Sequence, residues 1–511
     1  MIRAYDTESI RRAEAPLLAA TPQDALMQHA ATAVATTVLR EIADRGARRS
    51  GSTVLLLVGG GNNGGDALYA GAVLARRGLA VTAALCAPAP HARGLAAARR
   101  AGVQVVDVGA GEAGALDRLT RLGDDAGVWV DGLTGIGARG PLRAPVATVV
   151  AHLDAYRGGM PDEPVVVAVD VPSGIGVDDG TVPGPVLRAD VTVSVGATKP
   201  GLLVGPAAAL AGRLVHVDIG LAPDTGPTVA RLTGSDVADL VRLPVAADHK
   251  YTRGVLGLVA GSSTYPGAAV LAAAGALGAG LGMLRLLAPP DVVTLVHHRF
   301  PEVVVGGGRT QAWATGSGID PTDTGRADDV RAAIDRATTD ELPIVLDAGA
   351  LALLPDRLPA TAVLTPHAGE LARLLVERGE DVSRASVDAD PLQHARRAAE
   401  LTGAVVLLKG ATTIVVAPSG PAYAQADGTP WLATAGTGDV LAGVLGALLA
   451  GAGAAGPVGA EDVAALAAAA ALVHGRAGRL ASRGGPTTAR RCAEAVPDVL
   501  RGLLTGDGPE C

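Results

Sequence analysis

The chain has 511 residues, enough for two or three domains with substantial cores. Aromatic residues make up only 2% against 49% hydrophobic overall, with 69 glycines and a single Phe (Phe300), so the cores are built from Ala, Val and Leu, as suits parallel strands flanked by helices. A net charge of −8 with both signs interspersed argues against nucleic acid as a partner, and three widely spaced cysteines (Cys86, Cys492, Cys511) form no metal-binding pattern and read as free thiols of a reducing, cytoplasmic compartment.

The opening residues, MIRAYDTESIRRAEAP, hold no apolar signal core. Residues 8–46 read as two Ala-rich helices, the second opened by Thr21 as cap and Pro22 in the first turn. Strands then alternate with helices, at Thr53–Val58, Ala80–Leu85, Val103–Val106, Gly127–Val130, Val165–Val169, Val191–Val195 and Leu214–Val217. Each apolar run ends in a polar or glycine-rich turn, which is the pattern of a doubly wound α/β sheet. A Pro/Gly/Thr-rich stretch, Leu221–Thr228, breaks the pattern and reads as a linker, giving domains at 1–222 and 231–504.

The alternation restarts at Val255–Ala260 and continues through Ile344–Leu346, Ala362–Leu364, Ala404–Leu408 and Thr413–Val416. Helices are expected from Asp439 to Ala450, from Ala460 to about Leu480, and up to about Leu503. Between Gly267 and Leu284 no charged residue occurs, which raises a membrane question. Glycines at 267, 275, 278, 280 and 282 favour a close-packed helix followed by a buried strand, so no membrane partner is expected.

Only three of the 43 basic residues are lysines, each in a glycine-rich context: Lys199, Lys250 and Lys409. A Lys kept in an Arg-dominated chain marks a place where a planar guanidinium does not fit, so all three are candidates for handling small anionic or polar ligands. The loop Gly59–Asp66, GGGNNGGD, follows a strand and opens a helix, a setting suited to a phosphate. Gly59, Gly61 and Gly64 satisfy GxGxxG, yet the next strand ends Leu85-Cys86-Ala87-Pro88 with no acid for a ribose, which argues against an ordinary dehydrogenase. Further strand-end loops begin at Asp131, Asp170 and Thr198, and such loops converge over one crevice. Asn63, Asp131 and Ser173 supply oxygens for a hard cation, and Asp170 with Lys199 an acid–base pair. Taken singly, Asp131 and Asp170 are equally good helix caps.

In the second half, Gly436 and Gly438 in WLATAGTGDVLAG leave backbone amides free at a helix start, with Asp439 beside them as a base. Lys409–Thr413 adds a cation and hydroxyls, and TPHAGEL places His367 and Glu370 at another strand end. His367 is also a candidate helix-start residue. No GxxxxGK[ST] occurs, so a P-loop is excluded.

Two resemblances follow. Leu26-Met27 with His29-Ala30, GGGNNGGD, DGLTGIG, DVPSGI and TKPGLL, in that order over about the first 220 residues, resemble the NAD(P)H-hydrate epimerase domain, a Rossmann-like doubly wound sheet. The resemblance implies K⁺ held by Asn63, Asp131 and Ser173. It implies hydrated nicotinamide bound by Asn62, Asn63, Gly64, Gly65 and Asp66, by the loop Gly135, Ile136, Gly137, Ala138, Arg139, Gly140 and Pro141, and by Asp170, with Asp170 and Lys199 moving protons. The chain departs from the family pattern at Gln28, Ala31 and Ala67.

HKYTRG, GSSTYPGAA, DAGAL, TPHAGE, KGATT and AGTGD, over about Arg231–Leu504, resemble the ribokinase-like, ADP-dependent NAD(P)H-hydrate dehydratase domain. This implies ADP on Lys409, Gly410, Ala411, Thr412, Thr413 and Gly438, and substrate on Ala268, Gly318, His367 and Asp439. Here the family's glycine run is reduced to TGSGID, and Lys250 has no implied role. Mg²⁺ is expected with the nucleotide.

The implied activity is repair of hydrated NADH and NADPH (NADHX and NADPHX). The R and S epimers are interconverted by one domain, and the S form is dehydrated by the other with ADP, giving AMP and phosphate. A homo-oligomer is expected. Two other readings stay open: a small-molecule kinase sharing the AGTGD-type anion hole, and a non-enzymatic ligand sensor built on the first domain.

Overall fold

The computed structural model describes residues 1–46, 51–108 and 114–506. Cys511 lies outside them, and Cys86 and Cys492 are buried free thiols. The chain divides into two compact units, Arg3–Thr228 and the residues from Val229 onward, with Met1–Ile2 grouped with the latter.

The chain opens with β1 (Ile2–Ala4). In the first unit follow β2 (Thr53–Val58), β3 (Ala80–Leu85), β4 (Gln104–Asp107), β5 (Val128–Gly132), β6 (Val165–Val169), β7 (Val191–Val195) and β8 (Arg213–Val217). They form a seven-stranded sheet in the order β4-β3-β2-β5-β6-β7-β8, with every neighbouring pair parallel.

The strand period of two divides each apolar run between two cores. Val54, Leu56 and Val58 join the core under helices Ala25–Asp44 and Asn62–Arg76, whereas Leu55 and Leu57 join the core under helices Ala115–Asp124 and Val146–Arg157. Each fully buried Val or Leu contributes about 1.5–3 kcal/mol. That two-sided burial is why the runs are continuously hydrophobic. The chain reverses its direction of travel across the sheet between β2 and β5, and the loops leaving those strands part there to open a crevice.

Thr21 does not open the second helix. The first helix, Thr7–Ala20, is capped by Asp6, whose Oδ1 accepts from Ser9 N at 2.8 Å. Thr21 closes it, its N–H and its hydroxyl both donating to the Leu17 carbonyl at 3.0 and 2.7 Å. The second helix, Ala25–Asp44, starts after Asp24, which holds a left-handed φ of 63°.

The second unit contains β9 (Val229–Arg231), β10 (Val255–Val259), β11 (Met283–Leu287), β12 (Val304–Val305), β13 (Ala312–Thr315), β14 (Ile344–Leu346), β15 (Ala362–Leu364), β16 (Val405–Leu408), β17 (Thr413–Val416) and β18 (Ala422–Gln425). The sheet order is β1-β9-β18-β17-β16-β15-β14-β13-β10-β11-β12. β10 through β16 run parallel, and β17 lies antiparallel to both its neighbours. The switch point lies between β10 and β13.

The charge-free run after Gly267 folds as helix Pro266–Gly278 followed by β11. Among the described residues one helix, Thr437–Ala455, is long and apolar enough to cross a membrane, and 61% of its apolar window is buried inside the unit. It meets helix Pro266–Gly278 backbone to backbone: a Cβ on Gly275 would fall 2.3 Å from Val440 O, and one on Gly443 2.0 Å from Ala272 O. This close crossing fixes the position of the Gly436–Asp439 turn against the loop after β10.

Candidate active sites

In the first unit, the loop after β2 turns into helix Asn62–Arg76 through Gly59. A side chain is impossible there, because a Cβ would lie 1.9 Å from Leu133 O. A Cβ on Gly64 would strike Gly59 O at 2.3 Å, and one on Gly65 would strike Met27 Sδ at 2.8 Å. These glycines serve close packing of helix, strand and loop as much as any ligand.

Asn63, at the head of that helix, donates from Nδ2 to Thr134 O at 2.7 Å and to Val169 O at 3.0 Å, which leaves Oδ1 toward Gly135. Asp131, at the end of β5, is fully buried. Its Oδ1 accepts from Ser173 Oγ at 2.7 Å and from Leu133 N at 3.2 Å, and its Oδ2 accepts from Ser173 N at 2.8 Å. Ser173 Oγ in turn accepts from Thr134 N at 2.9 Å. Asn63, Asp131 and Ser173 therefore share one cluster.

Burial raises the Asp131 carboxyl above its ordinary value against the hydrogen bonds from Ser173 and Leu133. No Lys, Arg or His pairs with it among the described residues, and the neighbouring Thr134 Oγ1 is buried without a hydrogen-bond partner. One carboxylate among neutral hard oxygens is a donor set that fits a monovalent cation.

Asp170, after β6, holds a left-handed φ of 69°, a conformation that costs about 1–3 kcal/mol and tends to persist at functional sites. Its Oδ1 accepts from Val195 N at 3.1 Å and from Lys199 Nζ. Lys199 is only 1% exposed and also donates to Val195 O at 2.9 Å. Neither Asp131 nor Asp170 heads a helix.

Asp66 and Glu14 complete the charged wall. Burial, then the Asp170 and Glu14 charges, push the Asp66 carboxyl well above its usual range against the pull of Lys199. Glu14 is raised by burial and by Asp170. Arg11, one turn before Glu14, donates from Nη2 to Ile136 O at 3.4 Å, so the first helix borders the Gly135–Pro141 loop. Arg139 and Gly140 in that loop are exposed. Sequence reasoning missed Arg11 and Glu14, which lie in a stretch read only for its lack of a signal core.

In the second unit the parallel strands deliver their carboxyl ends to one edge. Asp347 follows β14 and is 2% exposed; it receives Lys409 Nζ at 2.9 Å, Thr365 Oγ1 at 2.7 Å and Ser317 Oγ at 3.0 Å. Burial opposes its charge, but Lys409 and these donors outweigh burial and hold the carboxyl below its ordinary value. Burial likewise opposes the Lys409 charge, while Asp347 and Glu370 hold it on. Sequence reasoning singled out Asp347 only as part of a motif. The signal was its place at the end of an apolar run, shared with Asp131 and Asp170.

Asp439 stands in the first turn of helix Thr437–Ala455, entered through Gly436 at φ 89°. Burial, with the Asp347 charge behind it, raises its carboxyl to about 7 against a hydrogen bond from Ser317 and the Lys409 charge. A Cβ on Gly438 would fall 3.5 Å from Lys409 Nζ, so the ammonium faces the amide end of this helix. Gly318, at φ 67°, lies against Ala268: a Cβ would be 2.4 Å from the Ala268 Cβ.

His367 is the N-cap of helix Ala368–Glu377; its Nδ1 accepts from Gly369 N at 3.0 Å, and its backbone bridges to Lys409. It is both a capping residue and a neighbour of the cation. Gly410 and Ala411 are exposed, and Thr412 and Thr413 lead into β17.

Lys250 departs from expectation. It is exposed, its Nζ lies 5.2 Å from the Tyr251 ring centroid, and its segment precedes β10, at the sheet edge opposite Asp439 and Lys409. The lysine argument holds geometrically for Lys199 and Lys409, which follow strands.

A family model described as YjeF-related protein N-terminus matches residues 23–201, and one described as NAD(P)H-hydrate dehydratase matches residues 256–496. The bifunctional NAD(P)H-hydrate repair enzyme Nnr of Mycobacterium tuberculosis H37Rv is 40% identical over 459 residues, covering 87% of this chain and 89% of that protein. The Nnr of Corynebacterium glutamicum is 33% identical over 526 residues, covering 87% of each. Among solved structures, ADP/ATP-dependent NAD(P)H-hydrate dehydratase from Bacillus subtilis, co-crystallised with ATP and Mg²⁺, is 29% identical with a TM-score of 0.47, covering 54% of this chain and 99% of that one. With both models matched in order and these relatives aligned over most of their length, the chain belongs to the family of bifunctional NAD(P)H-hydrate repair enzymes.

Proposed function

We propose that this enzyme carries out both steps of the repair: epimerisation of R and S NAD(P)H hydrates within residues 1–222, and ADP-dependent dehydration of the S hydrate to NAD(P)H within residues 231–504. The observation that carries this reading is the grouping of Lys409, Gly438 and Asp439, a cation, a helix amide end and a base at one point. That is the equipment for phosphoryl transfer to a hydroxyl.

In the second unit, ADP lies along Lys409–Thr413 with its terminal phosphate between Lys409 and the Gly436–Asp439 amides. Asp439 takes the proton of the ring hydroxyl, which attacks that phosphate. AMP departs, the ring nitrogen lone pair expels the newly attached phosphate to form a C=N⁺ bond, and loss of a proton from the adjacent ring carbon returns the pair to nitrogen and restores NAD(P)H. Ala268, Gly318 and His367 border the substrate. Mg²⁺, which keeps several waters and is held by one or two carboxylates plus substrate phosphates, would accompany the nucleotide.

In the first unit, Asn62–Asp66, the Gly135–Pro141 loop and Asp170 bind the hydrated nicotinamide. Asn63, Asp131 and Ser173 would hold K⁺, which supplies a fixed positive charge. Lys199 holds Asp170 in place as the proton acceptor.

The test is to incubate the full chain with mixed-epimer hydrated NADH, ADP, Mg²⁺ and K⁺ and follow NADH absorbance. Complete recovery supports both activities. Half recovery leaves only the dehydratase, and none refutes the reading. ATP in place of ADP on a vitamin-precursor alcohol addresses the small-molecule kinase alternative.

A further inference from the structure

In the first unit one carboxyl group of the substrate-binding set moves no proton in the scheme above. Asp66 Oδ1 is buried and meets no hydrogen-bond donor. Among the described residues the ammonium acting on Asp66 is Lys199 Nζ, which is already bound to Asp170 and to Val195 O. Around Asp66 stand Asp170 from the loop after β6, Glu14 from the first helix and Lys199 from the loop after β7, with Arg11 beside Glu14. His91 lies on the far side, against Gly65. Three ionised carboxylates against the Lys199 ammonium and the Arg11 guanidinium leave one negative charge uncompensated. A proton on Asp66, whose Oδ1 is buried without a donor, relieves this at least cost.

We propose that Asp66 is the second catalytic residue of the epimerase site, the acid that delivers a proton to the ring hydroxyl while Asp170 receives one from water. Two carboxyl groups whose surroundings drive their protonation states apart are the usual basis of an acid–base pair. The proposal rests on the epimerase reading.

The hydroxyl-bearing carbon is bonded to the ring nitrogen. The Asp66 O–H proton moves to the hydroxyl oxygen, the C–O bond breaks, and the nitrogen lone pair forms a C=N⁺ bond, releasing water. A water molecule then adds to the opposite face. Its oxygen bonds to carbon, the C=N⁺ pair returns to nitrogen, and its proton passes to Asp170. Asp66 ends ionised and Asp170 protonated, and exchange with solvent resets them. Nothing is oxidised or reduced.

The experiment measures interconversion of purified R and S hydrated NADH by the full chain, with no ADP present, across pH. Asp66→Asn should lower kcat by about 100-fold or more with KM changed only a few-fold, and should remove the fall in rate that wild type shows at high pH. A residue that only binds substrate would raise KM and leave the high-pH limb in place, and that result overturns the proposal. Should Asp66→Asn fail to fold, Glu14→Gln serves instead. Removing that like charge should move the high-pH limb to lower pH, and an unmoved limb overturns the proposal. If wild type itself fails to interconvert the epimers, the epimerase reading fails and not this inference alone.

Discussion

Lys409 Nζ lies 2.9 Å from Asp347 Oδ1, beneath the turn that carries Gly438 and Asp439. The pair ties β14 to β16 and aims the ammonium at the helix amides. Lys409→Met should reduce ADP-dependent dehydration by about 100- to 1000-fold, the scale for loss of one charge-stabilising donor. It should also destabilise the second unit by about 3–5 kcal/mol, because Asp347 is left as an uncompensated buried charge. Adding Asp347→Asn to that variant should restore much of the lost thermal stability and none of the activity. Paired melting and rate measurements check this.

A pH dependence follows from Asp439. Burial first, and then the Asp347 charge, raise its carboxyl to about 7, so the base form is lost as pH falls below that value. The dehydration rate at saturating ADP should therefore rise through about pH 7 and level off above it. Asp347→Asn removes a like charge and should move this limb to lower pH. A limb unmoved in that variant would mean that another group controls it.

The sequence made the buried strands readable because a strand covered on both faces shows as an unbroken apolar run; the expected ranges of β2, β3, β6 and β7 match the structure residue for residue. It hid β13 and β18, where Trp313 and Gln425 disguise short runs. Lys250 shows a different gap. Glycine-rich context alone does not tell a loop before a strand from one after it, yet only the latter reaches the ligand edge of a parallel sheet. Asn63, Asp131 and Ser173 come together because each sits at a strand end or helix start beside the switch point. Glu14 and Arg11 were hidden because a helix 125 residues before the loop it borders carries no motif that names that loop.

Ser173 bonds to Asp131 through both its N–H and its hydroxyl. Ser173→Ala leaves Asp131 Oδ1 and Thr134 N each short of a buried partner, at about 1–3 kcal/mol apiece. If this cluster binds K⁺, wild type should melt at higher temperature as K⁺ replaces a large organic cation at constant ionic strength, by mass action on the folded state. Ser173→Ala should show a lower melting temperature and a smaller K⁺ response. Equal responses in both proteins would remove Ser173 from the ligand set.

Gly436 and Gly438 sit two residues apart and should respond differently to one added methyl group. Gly436 has φ 89°, where an L side chain is strained, and its Cβ would lie 2.5 Å from Leu271 Cδ1 and 3.2 Å from the Ala489 Cβ. Gly436→Ala should therefore distort the turn itself, lowering both the melting temperature and the dehydration rate. Gly438 has ordinary helical backbone, and beyond its own helix the described atom closest to its Cβ is Lys409 Nζ at 3.5 Å, a normal contact. Gly438→Ala should keep the melting temperature. Its methyl group then occupies the space between the ammonium and the helix amides where a terminal phosphate belongs, so the KM for ADP should rise about tenfold or more while epimerisation stays unchanged. An unaltered KM for ADP in a folded Gly438→Ala protein would place the nucleotide phosphate elsewhere, because no ligand can share that gap with a methyl group.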